Sequence, residues 1–292
     1  MKLNPTFAMV VLSGGQDSTT CLGWALNNFD RVACVTFDYG QRHVIELEAS
    51  KKVVEFFETQ IGCSIPHEIV KIGADTFAGT SPLTNRDEQL ELYRDHDSME
   101  AIIGDRVEKT FVPMRNAVFL MLAANRAVVA GAGALVTGVC EADNANYPDC
   151  REDFIRAAED AINTALGLDH RNGDQELEIY TPLMHLSKEL SIKLALNLPF
   201  TYDALAYSHT AYDGKYPPTG SDHASVLRAH GFEQAGVPDP LVLRAYREGL
   251  MDLPRTKNYD ATAGLEAKAD AREQDAREAR SEVDLFKHRG VH

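Results

Sequence analysis

Eight residues near the N-terminus, Ser13-Gly14-Gly15-Gln16-Asp17-Ser18-Thr19-Thr20, gather the groups that hold an anion. Two adjacent glycines allow backbone torsions that a Cβ would block, so successive N–H groups can converge on one negative charge. A helical pattern from about Ser18 adds the unpaired N–H groups of a helix start and the positive end of its dipole. Ser13, Ser18 and Thr19 supply hydroxyls. The Gly-Gly pair alone is an ordinary turn with a Ser or Asp cap; the full string reads as a phosphate-binding turn. It lacks the lysine of GxxxxGK[ST] and the spacing of GxGxxG.

Such a turn has to sit between a buried strand and a helix, and the flanking pattern supplies both. Phe7 to Leu12 is a continuous apolar run, as expected of a strand covered on both faces, and a helix follows to Asn28 with Leu22, Ala25 and Leu26 inward. Arg31 to Phe37 is a second strand. Asp38-Tyr39-Gly40-Gln41-Arg42-His43 lies at its C-terminal end, where open α/β sheets bind ligands. A helix from about Val44 to Ile61 places Ile45, Ala49, Val53 and Phe57 at helical spacing, and a third strand runs near Glu68 to Ile72. Gly73 to Lys109 is too long and polar for an ordinary connection and reads as a functional loop or lid. Ala117 to Val129 is apolar nearly all round, which predicts a central helix. A short strand, Ala134 to Thr137, ends at Gly138. A later helix carries Phe154, Ala158, Ala161 and Ala165 on one face. Leu177 to Tyr180 is a strand, and a helix runs from Ser187 to about Leu196.

Strand and helix alternate five times, so the fold class is α/β, a doubly wound parallel sheet, with a small C-terminal helical appendage. The division expected is 1–200 for the α/β domain, 201–255 for a C-terminal segment bordering the substrate pocket, and 256–292 for a charged tail, disordered or helical. The appendage holds two short helices, near His223 to Ala229 and Leu241 to Met251.

The formal net charge of −15 argues against direct binding of nucleic acid, though a local cluster of donors with magnesium can still hold a triphosphate. Five cysteines without a CxxC pair argue against a disulfide scaffold. No apolar run is long enough to span a bilayer and no secretory leader pattern is visible, so the expected location is cytoplasmic, with no membrane partner.

The SGGQDSTT string resembles the pyrophosphate loop of the N-type ATP pyrophosphatases. With Phe37 to His43, Val112-Pro113-Met114-Arg115-Asn116, Thr137 to Glu141, Tyr147-Pro148-Asp149-Cys150-Arg151 and Thr181-Pro182-Leu183-Met184, the chain resembles the 7-cyano-7-deazaguanine synthases, the QueC family, over most of residues 8 to 200. The resemblance implies conversion of 7-carboxy-7-deazaguanine, ammonia and ATP to the nitrile by way of an amide. A carboxylate is a poor electrophile, so adenylation precedes attack by ammonia, and a second activation at the amide oxygen permits dehydration.

Carried over by position, Leu12, Ser13, Gly14, Gly15, Gln16, Asp17, Ser18, Thr19, Asp38 and Gly138 would hold the nucleotide, with Asp17 also toward magnesium. Arg115, Arg151 and Lys188 would neutralise phosphate or substrate carboxylate, and Asp17, Arg115 and Lys188 would be catalytic. Tyr39, Gln41, His43, Asn116, Glu141 and Asp149 would orient base or nucleotide. Each also has a structural reading: Lys188 as a solvated residue of a helix start, Glu141 and Asp149 as loop caps, His43 as a helix-start residue bonded to backbone. The family implies a homodimer; the ammonia source is open, free ammonia being the simpler expectation since no glutaminase domain is visible.

Two departures stand out. The family carries a zinc ribbon, one cysteine and then CxxCxxC before an LRxxGF segment. Leu227-Arg228-Ala229-His230-Gly231-Phe232 keeps that segment, but Thr219, Asp222 and Ser225 stand where the three cysteines would, and no cysteine follows Cys150. The usual zinc site cannot form. His209, Asp222, His223 and His230 are the residues that could replace it; Tyr207, Tyr212, Tyr216, Pro217 and Pro218 could instead pack the segment without metal. Met114 stands where the family has Gly, adding bulk next to Arg115. An enzyme that stops at the amide, or joins the deazaguanine acyl group to another amine, is the competing reading; a non-catalytic nucleotide-binding protein is a third.

Overall fold

The computed structural model describes residues 2–40, 45–77, 79, 81–85, 87–141 and 146–264. Gln41 and His43 lie outside the described residues. Among the described residues, five parallel strands form one sheet in the order β3-β2-β1-β4-β5: β1 Asn4–Val11, β2 Arg31–Asp38, β3 His67–Lys71, β4 Ala132–Val136 and β5 Glu178–Tyr180. The doubly wound parallel sheet expected from the alternation is therefore the fold.

The central strands are apolar along their buried stretches, Phe7 to Val10 in β1 and Val32 to Val35 in β2, because both faces are covered there. Phe7 and Met9 of β1, Val35 and Phe37 of β2 and Leu135 of β4 enter one core, while Ala8, Val10, Cys34, Ala134 and Val136 enter the other. The first core lies under α4 (Arg115–Ala130) and α5 (Glu152–Leu166), and the second under α1 (Gln16–Asn28) and α2 (Ile45–Ile61). Two expectations need correction. Helix α4 is not enclosed: Ala117, Leu120, Ala123, Ala124 and Ala127 are buried, but Met121 and Val129 are exposed, so it flanks the sheet on one side. Helix α5 buries Ile155, Ala158 and Ile162 and leaves Ala161 and Ala165 exposed. The face is turned because Asn163 points inward, its amide donating to the Leu177 carbonyl at 2.9 Å and accepting from the Leu177 N–H at 2.9 Å.

The long polar stretch contains a helix, α3 (His96–Ile103), started by a capping box between Asp95 and Ser98. Its Met99 and Ile103 pack with Tyr93 against Val226 and Leu227 of α8 (His223–Ala235), so the stretch is joined to the C-terminal segment. That segment follows α6 (Lys188–Asn197) and α7 (Thr201–Ala204), and ends in α9 (Pro240–Arg247). Its centre is a buried ion pair. Arg228, 4% exposed, donates from Nε and its second terminal nitrogen to the two Asp239 oxygens at 2.6 and 2.8 Å. The first terminal nitrogen donates to Ser208 and Thr210.

The tail is not loose from its first residue. Asn258 and Tyr259 are buried, and the Asp239 N–H donates to the Tyr259 hydroxyl at 3.1 Å. Among the described residues no helix is long and apolar enough to cross a membrane.

Candidate functional site

In the order β3-β2-β1-β4-β5 the connections leave β1 and β4 toward opposite faces, which opens a crevice above their C-terminal ends. A cavity of about 490 Å³ occupies that crevice.

Its floor begins with the glycine turn. Gly14 has φ +87°, and a Cβ there would lie 2.5 Å from the Glu46 carbonyl oxygen and 2.8 Å from the Ser50 nitrogen, so the turn is pressed directly onto α2. Gly15 caps α1 without a side chain, leaving the helix start to other acceptors. The Ser18 hydroxyl accepts from the Ser13 N–H and donates to the Gly15 carbonyl, which fixes the loop internally. From the C-terminal segment, the His209 N–H donates to the Gly14 carbonyl at 2.8 Å and the Thr210 hydroxyl accepts from the Gln16 N–H at 3.4 Å. A Cβ on Gly138, just after β4, would come within 3.1 Å of the α1 backbone. Lys188, at the start of α6, reaches across to donate to both Asp17 oxygens at 3.0 and 2.9 Å.

Opposite the turn, Arg115 opens α4 among the hydroxyls of Tyr39, Tyr147 and Tyr212, and hydrogen-bonds Tyr39. Burial pushes all three phenols up, so they are neutral donors and acceptors around a permanent cation. Phe37 stacks on Phe119 with ring centroids 4.7 Å apart, giving the cavity an apolar wall. Glu46 completes that side, its carboxyl pushed up to about 7 by burial against the opposing attraction of Arg115. Two buried side chains on the wall, Gln16 and His223, have polar atoms without hydrogen-bond partners among the described residues, a pattern that suits a bound ligand.

Of the residues named from sequence, Leu12, Ser13, Gly15, Gln16, Asp17, Ser18, Tyr39, Arg115, Asn116, Gly138, Glu141, Arg151 and Lys188 meet on this cavity. Others do not line it. Gly14 shapes the turn from behind, and Thr19 turns its hydroxyl to the Gly15 carbonyl. Asp38 accepts from the Gly40 N–H. Asp149, its acidity weakened by burial, accepts from the backbone and side chain of Asn116 and secures the start of α4. Glu141 is on the wall, yet one of its oxygens accepts from the Glu152 N–H and so caps α5. Sequence reasoning passed over Glu46, Tyr147 as a cavity residue, and Thr210; only the position of Tyr147 inside a quoted motif could have flagged one of them.

Met114 does not narrow the cavity. It is 66% exposed, and its φ of +65° is the conformation for which glycine is suited. The four residues considered for a replacement metal site are engaged separately. Asp222 caps α8 through the Ser225 N–H, His209 bonds the Ala211 carbonyl, His230 stacks on His96 at 3.8 Å, and His223 lies on the cavity wall. Thr219 donates to Asp213, and Ser225 to Asp222. Arg244 lies over the rings of Tyr207 and Tyr216 at 5.4 and 4.3 Å.

A doubly wound α/β protein with a glycine turn and a helix start at its switch point is the class this geometry defines. The family profile described as "Queuosine biosynthesis protein QueC" matches residues 7–236. The 7-cyano-7-deazaguanine synthase of Laribacter hongkongensis is 43% identical over 82% of this chain and 96% of its own length, and that of Chromobacterium violaceum 45% identical over 82% and 95%. A solved 4-thiouridine synthetase–RNA complex with bound ATP is similar at a TM-score of 0.39 and 17% identity, over 84% of this chain and 53% of that one. The chain belongs to the QueC family and is an enzyme, of the carbon–nitrogen ligase class.

Proposed function

We propose that this enzyme converts 7-carboxy-7-deazaguanine and ammonia to 7-cyano-7-deazaguanine, consuming ATP, through an adenylated carboxylate and an amide. The observation that carries the reading is one cavity with the glycine turn, Asp17 and Lys188 on one side and Arg115 among three tyrosines on the other, in a chain 43–45% identical to two named synthases.

In this reading the turn and the start of α1 take the leaving pyrophosphate through main-chain N–H groups and the Ser13 and Ser18 hydroxyls. Lys188 adds positive charge beside it. Asp17 is the carboxylate on the loop able to hold magnesium, which when bound would offset the charge on the phosphates. Arg115 receives the substrate carboxylate, and the neutral hydroxyls around it fix its orientation. Phe37, Phe119 and Tyr39 offer apolar and aromatic surface to a flat base, and they help exclude water from the mixed anhydride.

The test is incubation of the purified protein with ATP, magnesium, ammonium and 7-carboxy-7-deazaguanine, following nucleotide and base products by mass spectrometry. A nitrile and AMP are expected. An amide or a protein adduct as the final product would favour the competing acyl-transfer reading. ATP binding without substrate-dependent AMP release would leave a nucleotide-binding protein and overturn the enzyme mechanism.

A further inference from the structure

One carboxyl group on the cavity wall is left unused by the roles given above. Glu46 stands in the first turn of α2 with its own carbonyl against the Gly14 turn, and its side chain lines the cavity beside Tyr39 and Arg115. Among the described residues its carboxylate makes no hydrogen bond, and the Arg115 guanidinium influences it from beyond the 4.0 Å of a direct ion pair. Like Arg115, Glu46 lines the cavity. Its position between the loop that holds the leaving group and the cation that receives the substrate carboxylate is where protons must be removed.

We propose that Glu46 is the proton acceptor for both carbon–nitrogen steps, an inference that rests on the nitrile-forming reading above. In the first step the ammonia lone pair forms a bond to the acyl carbon. The carbon–oxygen bond to AMP breaks with its electron pair going to AMP, and Glu46 takes one N–H proton, leaving the amide. In the second, the adenylated amide carries a C=NH2+ group, which loses one proton to solvent. Glu46 takes the other; that N–H pair becomes the third carbon–nitrogen bond as the carbon–oxygen bond breaks with its pair to AMP.

Among the described residues, Tyr39 from the end of β2 and Arg115 from the start of α4 act electrostatically on Glu46, and Gly14 of the turn lies against its main-chain carbonyl. A carboxyl titrating at about 7 exists in both forms near neutrality, as an acceptor that later releases its proton requires.

The experiment compares wild type, Glu46→Gln and Glu46→Asp with 7-carboxy-7-deazaguanine and with the isolated amide. In Glu46→Gln, single-turnover pyrophosphate release from the acid should continue while nitrile formation falls about 10²–10⁴-fold. Amide formation from the acid and nitrile formation from the isolated amide should both fall, the limb of the pH–rate profile near 7 should vanish, and Glu46→Asp should recover part of the rate. Nitrile formation by Glu46→Gln at the wild-type rate, or with that limb unchanged, would overturn the proposal. So would a uniform loss in every step with a raised KM for ATP, the mark of a structural role. A wild type that forms no nitrile overturns the functional reading itself and the proposal with it, which separates the two failures.

Discussion

Glu46→Gln also removes a titratable proton while keeping the size of the side chain, so its effect on stability depends on pH with a sign that can be worked out. The folded protein keeps the proton to about pH 7 and the open chain releases it near 4.5. Between those values the folded state binds more protons, so wild-type stability falls as pH rises through the window and levels off above it. Each pH unit separating the two values is about 1.4 kcal/mol, or about 3 kcal/mol for a fully sealed carboxyl. Glu46 faces a cavity that admits solvent, which reduces this to about 1.5–2 kcal/mol. Glutamine escapes the penalty. The variant should therefore match wild type near pH 4, exceed it partly at pH 5 and by the full amount at pH 8, a gain of about 5 °C in melting temperature. Urea unfolding of both proteins at pH 5 and pH 8 measures the difference. An equal difference at the two pH values, or a variant less stable at pH 8, would refute the reasoning. Greater stability together with slower nitrile formation is the pattern expected where a strained group is kept for activity.

Three further outcomes follow from the packing. Arg228→Met should destabilise the protein by about 3–5 kcal/mol in thermal or denaturant unfolding, because Asp239 is left buried without its cation, whereas Arg228→Met with Asp239→Leu should recover most of the loss. Met114→Gly should raise stability by about 0.5–1 kcal/mol, relief of the left-handed conformation exceeding the chain entropy that glycine adds. Gly14→Ala should weaken ATP binding by roughly tenfold or more in calorimetry, since the new methyl meets backbone of α2 at 2.5 Å.

The sheet and its helices were legible because their signals are local. The alternation of Phe7 and Met9 with Ala8 and Val10 into two cores follows from strand geometry alone, and the glycine turn announces itself by composition. What was hidden depends on partners distant in the chain. Nothing about Glu46 distinguishes it from Glu48 two residues on, which is exposed and paired with Lys51; the approach of α2 to Gly14 makes the difference. The inward turn of α5 depended on Asn163 finding the Leu177 backbone 14 residues away. Tyr259 looked like part of a polar tail because the groove that receives it is built by Asp239 and its neighbours.

The contact between Lys188 and Asp17 has a consequence for selectivity. With ammonium and carboxylate neutralising one another across the crevice, the end of the cavity proposed to take phosphate is no open positive well. An anion arriving alone must draw the lysine away and strip the aspartate of its counter-charge. A nucleotide that arrives with its own divalent cation exchanges both partners in a single event. Under the proposed function, the pair would therefore favour a nucleotide that brings its own metal over an inorganic anion arriving alone.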